Sequence, residues 1–395
     1  MSNHQDAIVI VAAARTPIGG LQGVLSSVAA PDLGAVAIKA ALERSTLNAD
    51  DIDEVVMGCV LAAGLRQAPA RQAALGAGLS LAANCTTINK MCGSGMKAVM
   101  LAHDQIKAGS ADIMVAGGME NMSQSPYLLP KARAGMRMGH GQVLDSMFYD
   151  GLENAYDGKL MGVFAQQSAD QYQLTREAMD EFAIRSLTRA KAAIEEQRYS
   201  QEIAPVIIQN RKGQTTVDQD EQPFKAKLEK IPHLKPAFKK DGTVTAANSS
   251  SISDGAAALI LMKESAAKAR NLPILARIIG HSTHAQAPEE FTIAPVSAVQ
   301  KLLESINWQA SEVDLYEINE AFAVVTMIAI QELALDQDKV NINGGACALG
   351  HPIGCSGARI LVSLIHALQQ QNKRRGIAAL CIGGGEATAV AIELL

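Results

Sequence analysis

Cys92, in Asn89-Lys90-Met91-Cys92-Gly93-Ser94-Gly95-Met96-Lys97-Ala98, stands where a nucleophile could act. The β-prone run Cys85-Thr86-Thr87-Ile88 precedes it, and Met96 to Ile106 places apolar residues at helical spacing. A thiol where a strand passes into a helix meets unpaired amide N–H groups and the positive end of the helix dipole, which favour thiolate. Gly93 and Gly95 carry no side chain, so a substrate can approach the sulfur closely. Taken alone, such a residue is as well read as a buried structural cysteine, the commoner fate of a lone one.

Three further clusters carry candidate chemistry. Asn341-Ile342-Asn343-Gly344-Gly345-Ala346-Cys347-Ala348-Leu349-Gly350-His351-Pro352-Ile353-Gly354-Cys355-Ser356-Gly357 embeds one histidine in a glycine-dense loop that opens onto a helix. A neutral imidazole there can take a thiol proton or donate to a thioester oxygen; it could also merely satisfy loop backbone. Cys347 and Cys355 flank His351, but zinc ligands favour tighter pairs and no second pair lies nearby, so no metal is assigned. Leu380-Cys381-Ile382-Gly383-Gly384-Gly385-Glu386 puts another thiol at the end of an apolar strand, and its glycines can expose amides as an oxyanion hole. By itself Cys381 reads as structural. In Glu317-Ile318-Asn319-Glu320-Ala321-Phe322-Ala323, polar groups end a strand, where Asn319 can position a water or a substrate oxygen.

The elements that must hold these groups alternate. Strand-like Ala7–Ala13, Glu54–Val60, Cys85–Lys90 and Ile113–Gly117 interleave with helix-like Asp32–Ser45, Ala68–Gly78 and Ser94–Ala108, which indicates an α/β core with a covered sheet. From Asn121 to about Thr243 the texture changes. A Gly- and Met-rich loop leads to one long expected helix, Gln166–Gln197, then a hairpin over Ile203–Thr216 and a lysine-rich segment. Ala256–Met262 resumes the core. Strands Leu275–Gly280, Leu315–Asn319, Val340–Asn343 and Gly376–Ile382 then alternate with helices Val296–Ser305, Phe322–Leu335 and Gly357–Gln370. Asp112 to Glu120 echoes Ala378 to Glu386, each an apolar strand ending in glycines and a glutamate, which suggests duplication.

Bulk properties narrow the class. The chain has 395 residues, 48% hydrophobic, enough for a large core in two halves. A net charge of −5 argues against general nucleic-acid binding. No apolar run nears the roughly 20 residues of a membrane span. The polar lead-in Met1 to Asp6 has neither a signal-peptide nor an Arg-rich transit pattern, and the six cysteines are scattered. These features together point to a reducing, cytoplasmic setting.

Taken together, Arg15-Thr16-Pro17-Ile18-Gly19, Cys92-Gly93-Ser94-Gly95, Gly117-Gly118-Met119-Glu120-Asn121-Met122-Ser123, Asn319-Glu320-Ala321-Phe322, Gly350-His351-Pro352-Ile353-Gly354 and Cys381-Ile382-Gly383-Gly384-Gly385 closely resemble the thiolase family, end to end. The resemblance implies an α/β, duplicated thiolase-like fold: two similar βαβαβαββ halves, mixed sheets in layered α/β/α/β/α packing, and an inserted loop domain. The expected division is residues 1–120 (completed by 244–269), 121–243 and 270–395. It implies acetyl transfer between CoA thioesters through an acyl-cysteine, with acetyl-CoA, acetoacetyl-CoA and CoA as partners and no redox cofactor or metal.

By the same resemblance Cys92 is the nucleophile, His351 its activator and a ligand of the thioester oxygen, and Cys381 the acid/base at the acetyl methyl. Asn319 holds a water in the oxyanion hole shared with His351, and the Cys92 and Gly383 amides form the other hole. Ser250 and Met161 match pantetheine-pocket positions, while Leu160 stands where short-chain enzymes carry histidine. Phe291, Phe322 and Ala247 are expected around the acyl and pantetheine arms. Lys225, with Lys227, Lys230, Lys235, Lys239 and Lys240, is the candidate phosphate patch, and a solvated charge run is the plain alternative. The subset with a phenylalanine at the position of Phe291 can involve a potassium ion, which stays open; the family forms dimers or tetramers, and a homotetramer is the expectation.

Three rivals are weighed. A degradative 3-ketoacyl-CoA thiolase of broader chain length shares every motif. Decarboxylating ketoacyl synthases use two histidines, whereas Asn319 and Cys381 stand here. A non-catalytic CoA-binding relative would have lost motif residues, and all are present.

Overall fold

Strands with no polar face must be covered on both sides, and this chain has several. The computed structural model describes residues 6–211 and 213–395; the lead-in residues 1–5, and residue 212 of the expected hairpin, lie outside the described residues. The first half runs β1 (Ile8–Arg15), α1 (Ala30–Ser45), β2 (Glu54–Gly58), α2 (Pro69–Gly76), β3 (Asn84–Ile88), α3 (Ser94–Ala108) and β4 (Ile113–Asn121). Then come α4 (Met161–Gln171), α5 (Arg176–Glu195) and the hairpin β5 (Val206–Asn210) and β6 (Gly213–Val217), before β7 (Ser253–Lys263) rejoins the sheet. The second half is β8 (Ala276–Ala285), α6 (Ala294–Ile306), β9 (Leu315–Ile318), α7 (Ala323–Glu332), α8 (Ser356–Gln370), β10 (Arg375–Ile382) and β11 (Glu386–Glu393).

The halves repeat one topology. The first orders its strands β1-β7-β4-β2-β3 and the second β8-β11-β10-β9, with β1 and β8 side by side at the centre. In each half the outer strands are parallel and the returning strand is antiparallel. Two antiparallel pairs, Val9↔Arg277 and Ile10↔Ala276, join the halves.

Five layers result. α1 and α2 pack outside the first half's strands, α6 and α7 outside the second's, and α3 and α8 are buried between. β1 shows how one strand serves two cores. Ile8 and Ile10 face the central helices while Val9 and Val11 face α1; a bulge between Ile10 and Ala12 then reverses the parity, so Ala13 faces the centre. Among the described residues no helix is long and apolar enough to cross a membrane.

Two expected elements differ. The helix Gln166–Gln197 is two helices, because Gln173 turns left-handed at φ 52° and the Thr175 hydroxyl caps α5 by accepting from the Ala178 amide at 3.2 Å. The strand Val340–Asn343 shrinks to a single parallel bridge, Tyr316↔Val340. Beyond it the Asn341 side chain replaces the ladder, accepting from the Ile318 amide and donating to its carbonyl, both at 2.9 Å.

Candidate active site

The central helices bring the chemistry together. A Cβ on Gly95 would lie 2.8 Å from the Ala358 nitrogen, and one on Gly357 2.4 Å from that of Met96. Glycine as the second residue of each helix therefore lets the two N-terminal turns touch, and each turn carries a chemistry-bearing loop.

The first loop leaves β3 and turns through Met91 at φ 47°, a left-handed conformation that strains a side-chain-bearing residue by about 1–3 kcal/mol. Its surroundings enforce the turn. Asn89 Oδ1 accepts from the Met91 amide at 2.9 Å, and Ser94 Oγ accepts from Lys90 at 2.8 Å while donating to the Met91 carbonyl at 2.7 Å. Burial pushes the Cys92 thiol up to about 11, against the pull of two amides that bond its sulfur, those of Gly383 and of Cys92 itself. The expected preference for thiolate is thus overridden in the resting state: desolvation outweighs the helix terminus.

The second loop holds His351. Its Nδ1 lies 2.6 Å from Ser356 Oγ on the first turn of α8, and 3.5 Å from Asn319 Nδ2 at the end of β9. Burial, reinforced by the Arg359 charge, pushes the imidazole down to about 3, so it is neutral across the physiological range. His351 Nε2 and Asn319 Oδ1 are both buried without a protein partner. Unsatisfied buried polar atoms are rare enough to mark where a ligand or water bonds. Glu120 anchors the loop from the opposite half by accepting from the Gly354 amide at 2.9 Å, alongside Val60 at 3.0 Å and Leu61 at 3.1 Å. Burial lifts its carboxyl to about 7.

Cys381 ends β10, fully buried, and burial holds its thiol well above the ordinary range, with Cys92 as a near neighbour adding to the shift. The following turn needs glycine: Gly385 sits at φ 87°, and a Cβ there would meet the Gln286 carbonyl at 2.4 Å.

Cys92, His351, Cys381 and Gly383 line one cavity of about 310 Å³, whose walls include Leu160, Met161, Ser250, Phe291 and Phe322. Asn319 lies behind His351 rather than on the wall. Ala247 packs instead against the separate buried cluster that holds Leu187 and Leu349. Lys225 is exposed and ion-paired with Glu221, and all six candidate lysines are on the surface. Phe148, Leu152 and Phe238 also line the cavity, and Ser356 orients the histidine; none of these four belongs to the residues that sequence pattern marks for a role. Phe238 packs edge-on to Phe322, centroids 6.1 Å apart, above Gly162, where any Cβ would strike its ring. The one available signal was an aromatic in a chain with only 4% of them.

The family description "Thiolase, N-terminal domain" matches residues 8–265, and "Thiolase, C-terminal domain" matches residues 272–394. The chain belongs to the thiolase family. The acetyl-CoA acetyltransferase of Escherichia coli is 51% identical over 98% of this chain and 99% of its own. That of Pseudomonas aeruginosa is 48% identical over 98% of both. A crystal structure of the Bacillus anthracis acetyl-CoA acetyltransferase superposes over the whole of both chains with a TM-score of 0.97 at 43% identity. This thiolase passes from one matched domain to the other between β7 and β8, just before the strand that joins the halves.

Proposed function

We propose that this thiolase is an acetyl-CoA C-acetyltransferase, catalysing the reversible condensation of two acetyl-CoA molecules to acetoacetyl-CoA and CoA. The convergence of two thiols and one neutral imidazole in a single apolar cavity, beside the Cys92 and Gly383 amides, carries the reading. With its hydrogen on Nδ1 and donated to Ser356, His351 offers the Nε2 lone pair to the Cys92 proton as sulfur attacks the thioester carbonyl. The Cys92 and Gly383 amides receive the developing oxyanion, and CoA departs with the proton from His351. Cys381 then passes its proton to His351 Nε2, and as thiolate it removes a methyl proton from the second acetyl-CoA. His351 Nε2–H and a water on Asn319 hold the enolate oxygen, the carbanion attacks the acetyl carbonyl, and the departing Cys92 sulfur takes the proton back from His351. Preorganised donors of this kind are typically worth about 10²–10³ in rate each. No step requires a metal or redox group.

The start of α4, with Leu160 and Met161, and the aromatic wall of Phe238, Phe291 and Phe322 suit the pantetheine arm and a short acyl group. Ser250 Oγ already donates to the Ala321 carbonyl at 2.9 Å, so it is free only to accept from CoA. A cytoplasmic homotetramer is the proposed setting, supported by the family resemblance and by six free cysteines. The division at 120, 243 and 269 is proposed likewise, on the grounds that, among the described residues, the segment between β4 and β7 gives no strand to the main sheet.

The test separates the two thiols. Incubation with acetyl-CoA acetylates Cys92 alone, and Cys381→Ala retains that acetylation while losing acetoacetyl-CoA formation. Acetylation of Cys92→Ser, or condensation by Cys381→Ala at the parent rate, would overturn the roles. Equal thiolysis of long 3-ketoacyl-CoAs would overturn the short-chain assignment.

A further inference from the structure

Away from the catalytic cavity, α3 and β8 place three metal-ligating side chains together. His103 Nδ1 and Asp104 Oδ1 are 2.9 Å apart, His281 Nε2 and Asp104 Oδ1 2.9 Å, and His281 Nε2 and His103 Nδ1 3.3 Å. We propose that His103, Asp104 and His281 form a divalent-cation site suited to Zn²⁺, tying the central helix of the first half to the first strand of the second.

The geometry argues for this on three counts. A tetrahedral zinc ion with bonds of about 2.0–2.1 Å has ligand–ligand edges of roughly 3.3 Å, so this triangle needs only a few tenths of an ångström of adjustment. Two imidazoles and one carboxylate are a donor set that zinc takes readily. The surroundings suit a three-ligand site with an open fourth position: the histidine side chains are 10% and 17% exposed, whereas Asp104 is 51% exposed and leads to solvent.

The rings stand nearly perpendicular, at 89° with centroids 5.0 Å apart, and His103 Nδ1 and His281 Nε2 both meet Asp104 Oδ1. On binding, each imidazole moves its hydrogen to its far ring nitrogen and the cation replaces the two N–H contacts to Oδ1. The competing arrangement is a metal-free carboxylate accepting from both rings.

Co²⁺ titration of the full chain, followed by visible absorption, tests the proposal. One tetrahedral Co²⁺ per chain is expected without a thiolate charge-transfer band, which excludes the cysteines as ligands. His281→Gln keeps a hydrogen bond to Asp104 and should bind at least about tenfold more weakly, with thiolysis unchanged. Saturating Zn²⁺ should raise the parent's melting temperature by about 2–4 °C, and leave that of His281→Gln where it was. Equal responses of parent and variant, binding only through thiolate, or no binding at millimolar Co²⁺ would each overturn the site in favour of the hydrogen-bonded triad.

Discussion

The loops Lys90–Gly95 and Gly350–Gly357 occupy equivalent places in the two halves, and they solve one problem differently. Each precedes a central helix that begins Ser-Gly, with Ser94-Gly95 on one side and Ser356-Gly357 on the other. In the first, the serine hydroxyl closes a backbone turn and the thiol is presented by a strained Met91. In the second, the serine bonds the imidazole itself. The two helix ends touch, one bearing the Cys92 thiol and the other the His351 imidazole, which the proposed mechanism uses as nucleophile and base. Neither loop is supported only by its own half: Glu120 grips the histidine loop, and Glu386 pairs with Lys90 in the nucleophile loop.

The largest effect tests whether the loops act as one machine. Cys92→Ala should lower thiolysis by at least ~10³-fold and His351→Ala by about 10²–10⁴-fold. The double variant should be little worse than Cys92→Ala, because the base has nothing left to activate. Strictly multiplicative losses in steady-state kinetics would separate the loops into independent contributors.

Next in size is the buried anchor. Glu120→Gln turns an amide NH₂ toward backbone N–H groups that had donated to both carboxylate oxygens, which should destabilise the fold by about 1–3 kcal/mol. The pH dependence carries a distinct signature. Burial raises the folded Glu120 pKa to about 7 from an ordinary 4.5, so between those values the native state holds the extra proton. Its contribution to stability is therefore greatest at low pH, falls as pH rises through that window, and is flat above it. Denaturant midpoints across pH 4.5–7 should lose this component in Glu120→Gln. An unchanged profile would mean that Glu120 is not the group being titrated.

Much of this was legible from residue types. Two cysteines and a histidine close to glycines announced themselves because close backbone approach demands glycine, and the structure brings Cys92, His351, Cys381 and Gly383 to one cavity. The alternation of apolar runs gave the layers for the same reason, since a strand buried on both faces leaves an unbroken hydrophobic record. What stayed hidden depends on side chains doing the work of backbone or of bulk. Asn341 imitates a strand with its amide, so β-like residues there yield no strand. Phe148, Leu152 and Phe238 line the cavity from segments with no motif, where apolar residues look alike whether they face a core or a ligand. Composition also could not place the lysines: a charge run shows its sign but not where the chain carries it. The Cys92 ionisation was misjudged because sequence reveals a helix terminus and conceals the depth of burial.

The smallest effect should come from the other anchor. Lys90 and Glu386 bind the nucleophile loop to the strand after the glycine turn, yet their side chains are 24% and 36% exposed. Water and salt screen such a pair, and exposed pairs are typically worth about 0–1 kcal/mol. Lys90→Met should therefore cost less stability than Glu120→Gln by denaturant titration, and any rate loss in the variant should narrow as salt is raised toward ~1 M, where the Debye length is about 3 Å. If Lys90→Met matched Glu120→Gln in size and ignored salt, the asymmetry between a buried and a screened anchor would be wrong, and the two loops would be held by equivalent means.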